Sequence, residues 1–120
     1  MKIPEKHIHY TYQESKRVFE NDLSIKEAAE NINKKCDIKV TSATDYGYYF
    51  RYLMTGEGSC RSLSKFTQGF YLEKIYEDYG KEQFKKSLLH FKKLTEKFEG
   101  EKVGSKKAMR AIYEKYSKTI

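Results

Sequence analysis

The sequence predicts an all-α fold, a compact bundle of five to six helices that includes a loose helix-turn-helix-like unit. Three observations lead to this prediction. Apolar residues recur at spacings of three and four along most of the chain, which is the period of an amphipathic helix. No segment alternates apolar and polar residues over the length of a strand. The only proline is residue 4, outside every predicted helix.

The length of 120 residues predicts a single helical domain, with residues 1–8 flexible and residues 101–120 forming an additional C-terminal helix. Aromatic residues make up 15% of the chain, enough ring surface to form a core and to exclude a disordered tail. The sequence contains neither a stretch of about 20 apolar residues nor the apolar segment of a signal peptide. We therefore expect a cytoplasmic protein with no membrane partner.

The first two helices are predicted from their inward faces and from one capping motif. Residues 8–20 place Ile8, Tyr12, Ser15 and Phe19 on one face. Ser24 and Glu27 have the spacing of a capping box, in which each side chain bonds the backbone N–H of the other residue. A short second helix then runs to Asn33, with an inward face of Ile25, Ala28, Ala29 and Ile32.

The third helix is predicted from the hydroxyl caps Thr41 and Ser42 to about Met54. Gly47 lies within it at a cost of about 1 kcal/mol relative to Ala, which predicts a close helix crossing. A turn with positive-φ glycines follows at residues 55–61. The inward face of the helix is predicted to be Ala43, Tyr46, Gly47, Phe50, Leu53 and Met54.

Three further helices are predicted in the second half of the chain. Residues 64–79 present Leu72, Ile75, Tyr76 and Tyr79, and Gly80 ends that helix. After Gly104, Ser105 caps the last helix, whose apolar side is Met109, Ile112, Tyr113 and Tyr116. Residues 81–98 present Phe84, Leu88, Phe91, Leu94 and Phe98.

The sequence offers few residues for catalysis. Its three histidines, His7, His9 and His90, occur in no metal-binding spacing, and Cys36 and Cys60 are expected to be reduced thiols. The glycines of the turn lack the remaining residues of a phosphate-binding loop. We therefore predict no catalytic residue, no metal site and no cofactor, and a protein that is not an enzyme.

The outer face of the third helix predicts a binding surface. Thr44, Tyr48, Arg51, Tyr52 and Thr55 share this face, and none of them is acidic. Arginine forms bidentate hydrogen bonds with guanine edges or phosphates, hydroxyls donate to phosphate oxygens, and aromatic rings stack on bases. This set of side chains therefore suits the binding of nucleic acid. The alternative is that Tyr48, Tyr49 and Tyr52 pack beneath neighbouring helices, as most tyrosines of small helical domains do.

Helix two, the connection from Asn33 to Val40 and helix three approximate a helix-turn-helix, although this connection is longer than the usual turn. Arg61 and Lys65 are predicted phosphate contacts beside this unit. Three further lysines flank the unit in the same way, and the alternative for all five residues is an ordinary solvated side chain: Lys34, Lys35 and Lys39.

The net charge of +7 is unevenly distributed. Residues 1–80 contain twelve basic and twelve acidic residues, whereas residues 81–120 contain twelve and five. An excess of positive charge of this kind indicates binding to an acidic partner rather than a role in solubility alone. Lys106, Lys107 and Arg110 are therefore predicted to add phosphate contacts.

Two motifs carry a family resemblance: Met54-x-Gly56 and Leu72-Glu73-x-Ile75-x-x-Asp78-Tyr79-Gly80. With the order of the surrounding helices, over about residues 9–98, they resemble the helical domain N-terminal to the nuclease in a group of bacterial restriction-type HNH endonucleases. That domain is presumed to help bind DNA. Their His/Asn/Cys-rich nuclease segment has no counterpart in this sequence, so the resemblance implies DNA contact without cleavage.

The leading hypothesis is thus a non-catalytic domain, restriction- or defence-related, that contacts double-stranded DNA. The alternative is a protein-interaction module, an inhibitor or accessory subunit acting on a nucleic-acid-associated protein or nuclease subunit, because Tyr and Arg also dominate protein interfaces. A weaker third hypothesis is single-stranded nucleic acid bound by ring stacking. Self-association into a homodimer is a further expectation, with Tyr49 and Phe66 exposed at a two-fold interface.

Overall fold

The computed structural model describes residues 3–61, 63–100 and 106–118, and the remaining residues include the predicted Ser105 cap. No strand occurs in the described ranges, so the predicted all-α fold is confirmed. Five helices form this part of the chain: α1 (Glu5–Phe19), α2 (Ile25–Cys36), α3 (Val40–Thr55), α4 (Lys65–Gly100) and α5 (Lys106–Ser117).

Backbone contacts group the described residues into two units, where the sequence predicts one domain. Unit one is the chain up to Tyr52 together with Glu57–Arg61. Unit two is Leu53–Gly56 together with the described residues from Leu63 onward. The last turn of α3 is therefore counted with unit two, and the rest of α3 with unit one.

In unit one, α1 begins at Glu5, three residues before the predicted start. The carbonyl of Pro4 accepts from the backbone N–H groups of His7 and Ile8, at 2.9 and 3.2 Å. Ile8 is buried and fixes this first turn. The segment expected to be flexible is thus helical from Glu5 onward.

The predicted capping box at the start of α2 is confirmed. The Ser24 hydroxyl accepts from the Glu27 N–H, and the Glu27 carboxylate accepts from the Ser24 N–H, each at 3.0 Å. These hydrogen bonds to Ser24 lower the pKa of Glu27. Of the four predicted inward residues, Ala28, Ala29 and Ile32 are buried and Ile25 is half-buried.

The second helix continues three residues beyond its predicted end at Asn33 and finishes at Cys36. Asp37 then adopts a left-handed conformation with φ 57°, which ends the helix. The Asn33 amide donates to the Ile38 carbonyl at 2.9 Å and closes the turn. Only Asp37–Lys39 separate α2 from α3, so the predicted long connection is wrong.

The predicted inward face of α3 is confirmed, since all six of its residues are buried. Tyr49 is also fully buried, which makes the expectation of an exposed Tyr49 at a dimer interface wrong. The Phe50 ring meets the rings of Tyr12 and Phe19 edge to face, with centroids 5.4 and 5.7 Å apart. Aromatic packing of this kind accounts for the burial of Phe50.

Gly47 does not mark a close backbone crossing. A Cβ added there would lie 3.5 Å from Cγ1 of Ile25, an ordinary van der Waals distance. Gly47→Ala is therefore expected to raise the free energy of unfolding by about 0.5–1 kcal/mol, because alanine loses less backbone entropy in a helix. Urea unfolding followed by circular dichroism measures the change. A loss of stability would contradict the packing described here.

In unit two, α4 is interrupted at Gly80, whose φ of 89° and ψ of 176° are not helical. Its positive φ requires glycine, so the predicted stop at this residue is confirmed. Tyr76, which was predicted to face inward, is 37% exposed. All five apolar residues predicted on the following helical segment are buried: Phe84, Leu88, Phe91, Leu94 and Phe98.

Two side chains of α4 bond the last carbonyls of α3 within unit two. The Gln83 amide donates to the Met54 carbonyl at 3.2 Å, and His90 Nδ1 lies 2.7 Å from the Leu53 carbonyl oxygen. The end of a helix leaves its last carbonyls without intrahelical donors. His90 thus has a structural position at a helix end.

Tyr116 is the most perturbed phenol of α5. It is 8% exposed, and its hydroxyl donates to the Glu73 carboxylate of α4. Burial is the larger cause that raises the pKa of Tyr116 to about 12, and the charge of Glu73 and the hydrogen bond to it add to the effect. Met109 and Ile112 are buried on the same side of α5, as predicted.

Tyr116 is therefore expected to make stability pH-dependent. The phenol of an unfolded chain ionises near pH 10, whereas that of the folded chain ionises near pH 12. The stabilisation is complete below about pH 10 and is lost as the pH rises towards 12. The stability advantage of the wild type over Tyr116→Phe should shrink across this range in urea titrations. Tyr113→Phe is the control, because Tyr113 is a partly exposed residue of α5. If the stability difference from the wild type changed equally with pH in both variants, the assignment to Tyr116 would be wrong.

Candidate functional site

An open cleft of about 450 Å³ lies within unit one, between α3 and the segment that follows it. It brings three of the predicted site residues together, Tyr48, Arg51 and Arg61. The sequence placed two of these on a helix face, but it did not predict that Arg61 would lie opposite them. The full lining is Asp45, Tyr48, Arg51, Ser59, Cys60 and Arg61.

Arg51 is held between an aromatic ring and a glycine. Its guanidinium carbon lies 5.1 Å from the centroid of the Tyr48 ring, a cation–π contact. A Cβ at Gly58 would come within 2.6 Å of Nη2, so a larger residue there would displace the end of this side chain. Gly58 also has a φ of 85°, which disfavours any other residue. Arg51 is exposed.

Tyr52 and Thr44 are less accessible than the face prediction implies. Tyr52 is half-buried, and burial, followed by the neighbouring Cys60, raises its pKa. The Thr44 hydroxyl donates to the Thr41 carbonyl at 2.8 Å, so its oxygen remains chiefly an acceptor. Thr44 is half-buried as well. Tyr52 therefore packs partly beneath the surface of α3. The Thr44 hydroxyl oxygen can accept a hydrogen bond from a donor such as a base amino group.

The charge of the cleft is mixed, with a positive excess. Arg51 and Arg61 contribute two positive charges, and Asp45 contributes one negative charge. Asp45 is a site residue that the sequence reasoning missed. Its spacing of three from Tyr48 and of seven from Tyr52 places it on the same helix face, and this signal could have identified it.

The remaining predicted phosphate contacts belong to unit two. Lys65 is exposed at the start of α4, and Lys107 is exposed on α5. Lys106 is the first residue of α5, and its side chain lies outside the described part of the structure. The further lysines Lys34, Lys35 and Lys39 are exposed in unit one.

Arg110 is engaged within unit two by a bidentate ion pair. Its Nε and Nη2 atoms each donate to a carboxylate oxygen of Glu99 at 2.8 Å. This hydrogen bonding to Glu99 raises the pKa of Arg110. The Glu99 carboxylate offsets the positive charge that Arg110 would present to a phosphate.

Metal-binding and membrane-spanning features were sought over the described residues. No group of three or more His, Cys, Asp or Glu side chains is arranged there to hold a metal ion. None of the described helices combines the length and the hydropathy that crossing a bilayer requires. Burial raises the pKa of the Cys36 thiol, which is 7% exposed.

Comparison with family models, with curated proteins and with solved structures gives no match to this chain. The resemblance to the helical domain of restriction-type HNH endonucleases therefore stays a prediction.

Proposed function

We propose that unit one binds double-stranded DNA without catalysing a reaction on it, through the outer face of α3 and Arg61. One observation carries this proposal: Tyr48, Arg51 and Arg61 line a single open cleft. Two guanidinium groups and an aromatic ring around one concave surface suit a ligand that combines anionic phosphates with planar bases.

The two arginines have separate roles in this proposal. Arg51 lies against the Tyr48 ring, and the guanidinium fork suits recognition of a guanine edge. Arg61 is exposed on the segment after α3 and contacts a phosphate, which needs charge more than a fixed orientation. Lys106 and Lys107 add salt-sensitive phosphate contacts in unit two.

The connection between α2 and α3 supports a helix-turn-helix arrangement. It contains the three residues Asp37–Lys39, which is within the usual turn length of three to four. In such motifs the second helix enters the major groove, and its N-terminal residues contact base edges. The exposed residues Thr41 and Ser42 lie at this end of α3, and its first turn contains no acidic residue.

A titration of a short labelled duplex, followed by fluorescence anisotropy, tests the proposal. Arg61 contributes one phosphate contact, and Lys106 and Lys107 contribute up to two more. The logarithm of the association constant should therefore fall with the logarithm of the salt concentration with a slope between about −0.9 and −2.7. A competing duplex should displace the probe better than a single strand of the same sequence. Absence of binding at about 50 mM salt, binding that is indifferent to salt, or a preference for single strands would each overturn the proposal.

Asp45 gives a second test with the opposite sign. Asp45→Asn removes the acidic charge from the cleft, so repulsion of phosphate falls and affinity for the duplex should rise about threefold. Glu30→Gln, which removes an exposed acidic charge from α2, is the matched control and should have a smaller effect. Unchanged or weaker binding of Asp45→Asn would place the ligand elsewhere.

The resemblance to restriction-type HNH endonucleases adds a biological setting to this proposal, which is restriction or defence in the cytoplasm of a bacterium. A nuclease subunit is the corresponding protein partner. Affinity capture with and without nuclease treatment separates such a partner from proteins that are linked only through DNA.

A further inference from the structure

A second surface lies wholly within unit two, between the first half of α4 and α5. It is a groove of about 540 Å³ that is mainly apolar and open to solvent. Four of its side chains carry the argument below: Lys65, Phe66, Phe70 and Glu73.

Phe66 and Phe70 form an aromatic pair that is partly exposed. Their rings stack with centroids 5.9 Å apart and an interplanar angle of 21°. Phe66 is 43% exposed, and Phe70 is half-buried. Because the residues are four apart on a helix, both rings lie on one face of α4. Contiguous exposed rings at the edge of a groove are typical of a surface that another chain covers.

The charges beside this pair have a definite order along α4. Lys65 precedes Phe66 and is exposed, whereas Glu73 lies seven residues after Phe66 and is also exposed. Lys65 and Glu73 are thus about 12 Å apart along the helix axis, on either side of the aromatic pair. Along α4 the order is cation, ring, ring, anion, and α5 adds a second cation, Lys115, to the lining of the same groove.

This order of charges and rings is complementary to a second copy of the same helix that runs antiparallel to the first. If a second α4 runs in the opposite direction over the first, the Lys65 of each copy meets the Glu73 of the other. The two aromatic pairs then lie against each other at the centre. A two-fold axis produces this arrangement, since an isologous interface places the same patch on both copies.

We propose that this face of α4 is the interface of a homodimer, in which Phe66 and Phe70 form an apolar centre flanked by two Lys65–Glu73 pairs between copies. The proposal names a second copy because the charges that α4 contributes to this surface match their own reversal. It shares no residue with the cleft of the duplex-binding proposal, and it is tested without DNA.

Sedimentation velocity over a series of protein concentrations tests the dimer. The wild type is expected to show a reversible monomer–dimer equilibrium, and Phe66→Ala should weaken it by about tenfold or more because truncation removes a central ring. Leu89→Ala is the matched control, since Leu89 is 58% exposed on the later part of α4 and lies outside the groove. A wild type that stays monomeric, or equal weakening by both variants, would overturn the proposal.

Charge reversal supplies a test that a folding defect cannot imitate. Lys65→Glu alone and Glu73→Lys alone each place like charges together across the two-fold axis, so each should be monomeric. A mixture of the two variants restores opposite charges at both flanks and should form a heterodimer. Circular dichroism checks that Glu73→Lys remains folded, because Glu73 also accepts from Tyr116. A mixture of folded variants that stays monomeric would overturn the antiparallel pairing.

Discussion

Replacing both Arg51 and Arg61 by Ala is expected to lower the affinity for duplex DNA by about a hundredfold or more, since each such contact contributes about 1–3 kcal/mol. The two residues lie in the same cleft and supply its positive charge against Asp45. Their removal leaves the cleft acidic. The loss should therefore exceed the effect of removing two positive charges from elsewhere on the chain.

Single variants of the two arginines separate the effect of side-chain geometry on DNA affinity from the effect of charge. Arg51→Lys keeps the positive charge but loses the fork and its planar contact with Tyr48, so sequence preference should weaken while the salt dependence stays close to that of the wild type. Arg61→Ala should weaken binding to all sequences alike and reduce the magnitude of the salt slope by about 0.9. Both variants are measured by anisotropy across several salt concentrations.

Lys6→Ala is the matched control for these variants. Lys6 is an exposed cation of α1 in the same unit, and it does not line the cleft. Its removal should weaken binding only slightly. If Lys6→Ala weakened binding as much as Arg61→Ala, general charge rather than the cleft would explain the affinity, and the proposed interface would be wrong.

The helix faces could be predicted from the sequence because their periodicity is a local property. The inward face of α3 is one case, and the Ser24–Glu27 capping box is another, since both partners of that motif are three residues apart. The cleft could be predicted only in part. Its α3 wall follows from spacing, whereas the position of Arg61 depends on the path of the chain after Gly56, which periodicity does not specify.

Burial of individual polar and aromatic residues was less predictable. Tyr48 and Tyr49 are adjacent residues of one type, yet Tyr49 is fully buried and Tyr48 remains partly exposed. Tyr76 has helical spacing from Leu72 but stays at the surface. In each case the burial of the side chain depends on which neighbouring element covers that part of the helix. Local periodicity in a single sequence does not specify that element.

Glu14 is the clearest case of a residue whose place depends on a distant partner. A glutamate in an amphipathic helix is expected to be solvated, yet Glu14 is 2% exposed in unit one. Its Oε1 accepts from the Asn31 amide of α2 at 2.7 Å, and its Oε2 accepts from Arg17 at 3.1 Å. The Tyr10 hydroxyl also donates to Oε1, at 3.3 Å. The carboxylate thus links α1 to α2 through a hydrogen bond between residues 17 apart.

Glu14→Ala is therefore expected to lower the free energy of unfolding by about 2–3 kcal/mol, because it removes a charged acceptor and leaves the Asn31 amide without this partner. The Arg17 pair adds little to the loss, since the Arg17 side chain is 49% exposed. Glu30→Ala removes an exposed glutamate of α2 and should change stability by less than about 0.5 kcal/mol in the same urea titration. A double-mutant cycle with Asn31→Ala isolates the link between the helices, with an expected coupling of about 1 kcal/mol. If the effects of Glu14→Ala and Asn31→Ala were additive, the bond between α1 and α2 would not be the cause of the loss.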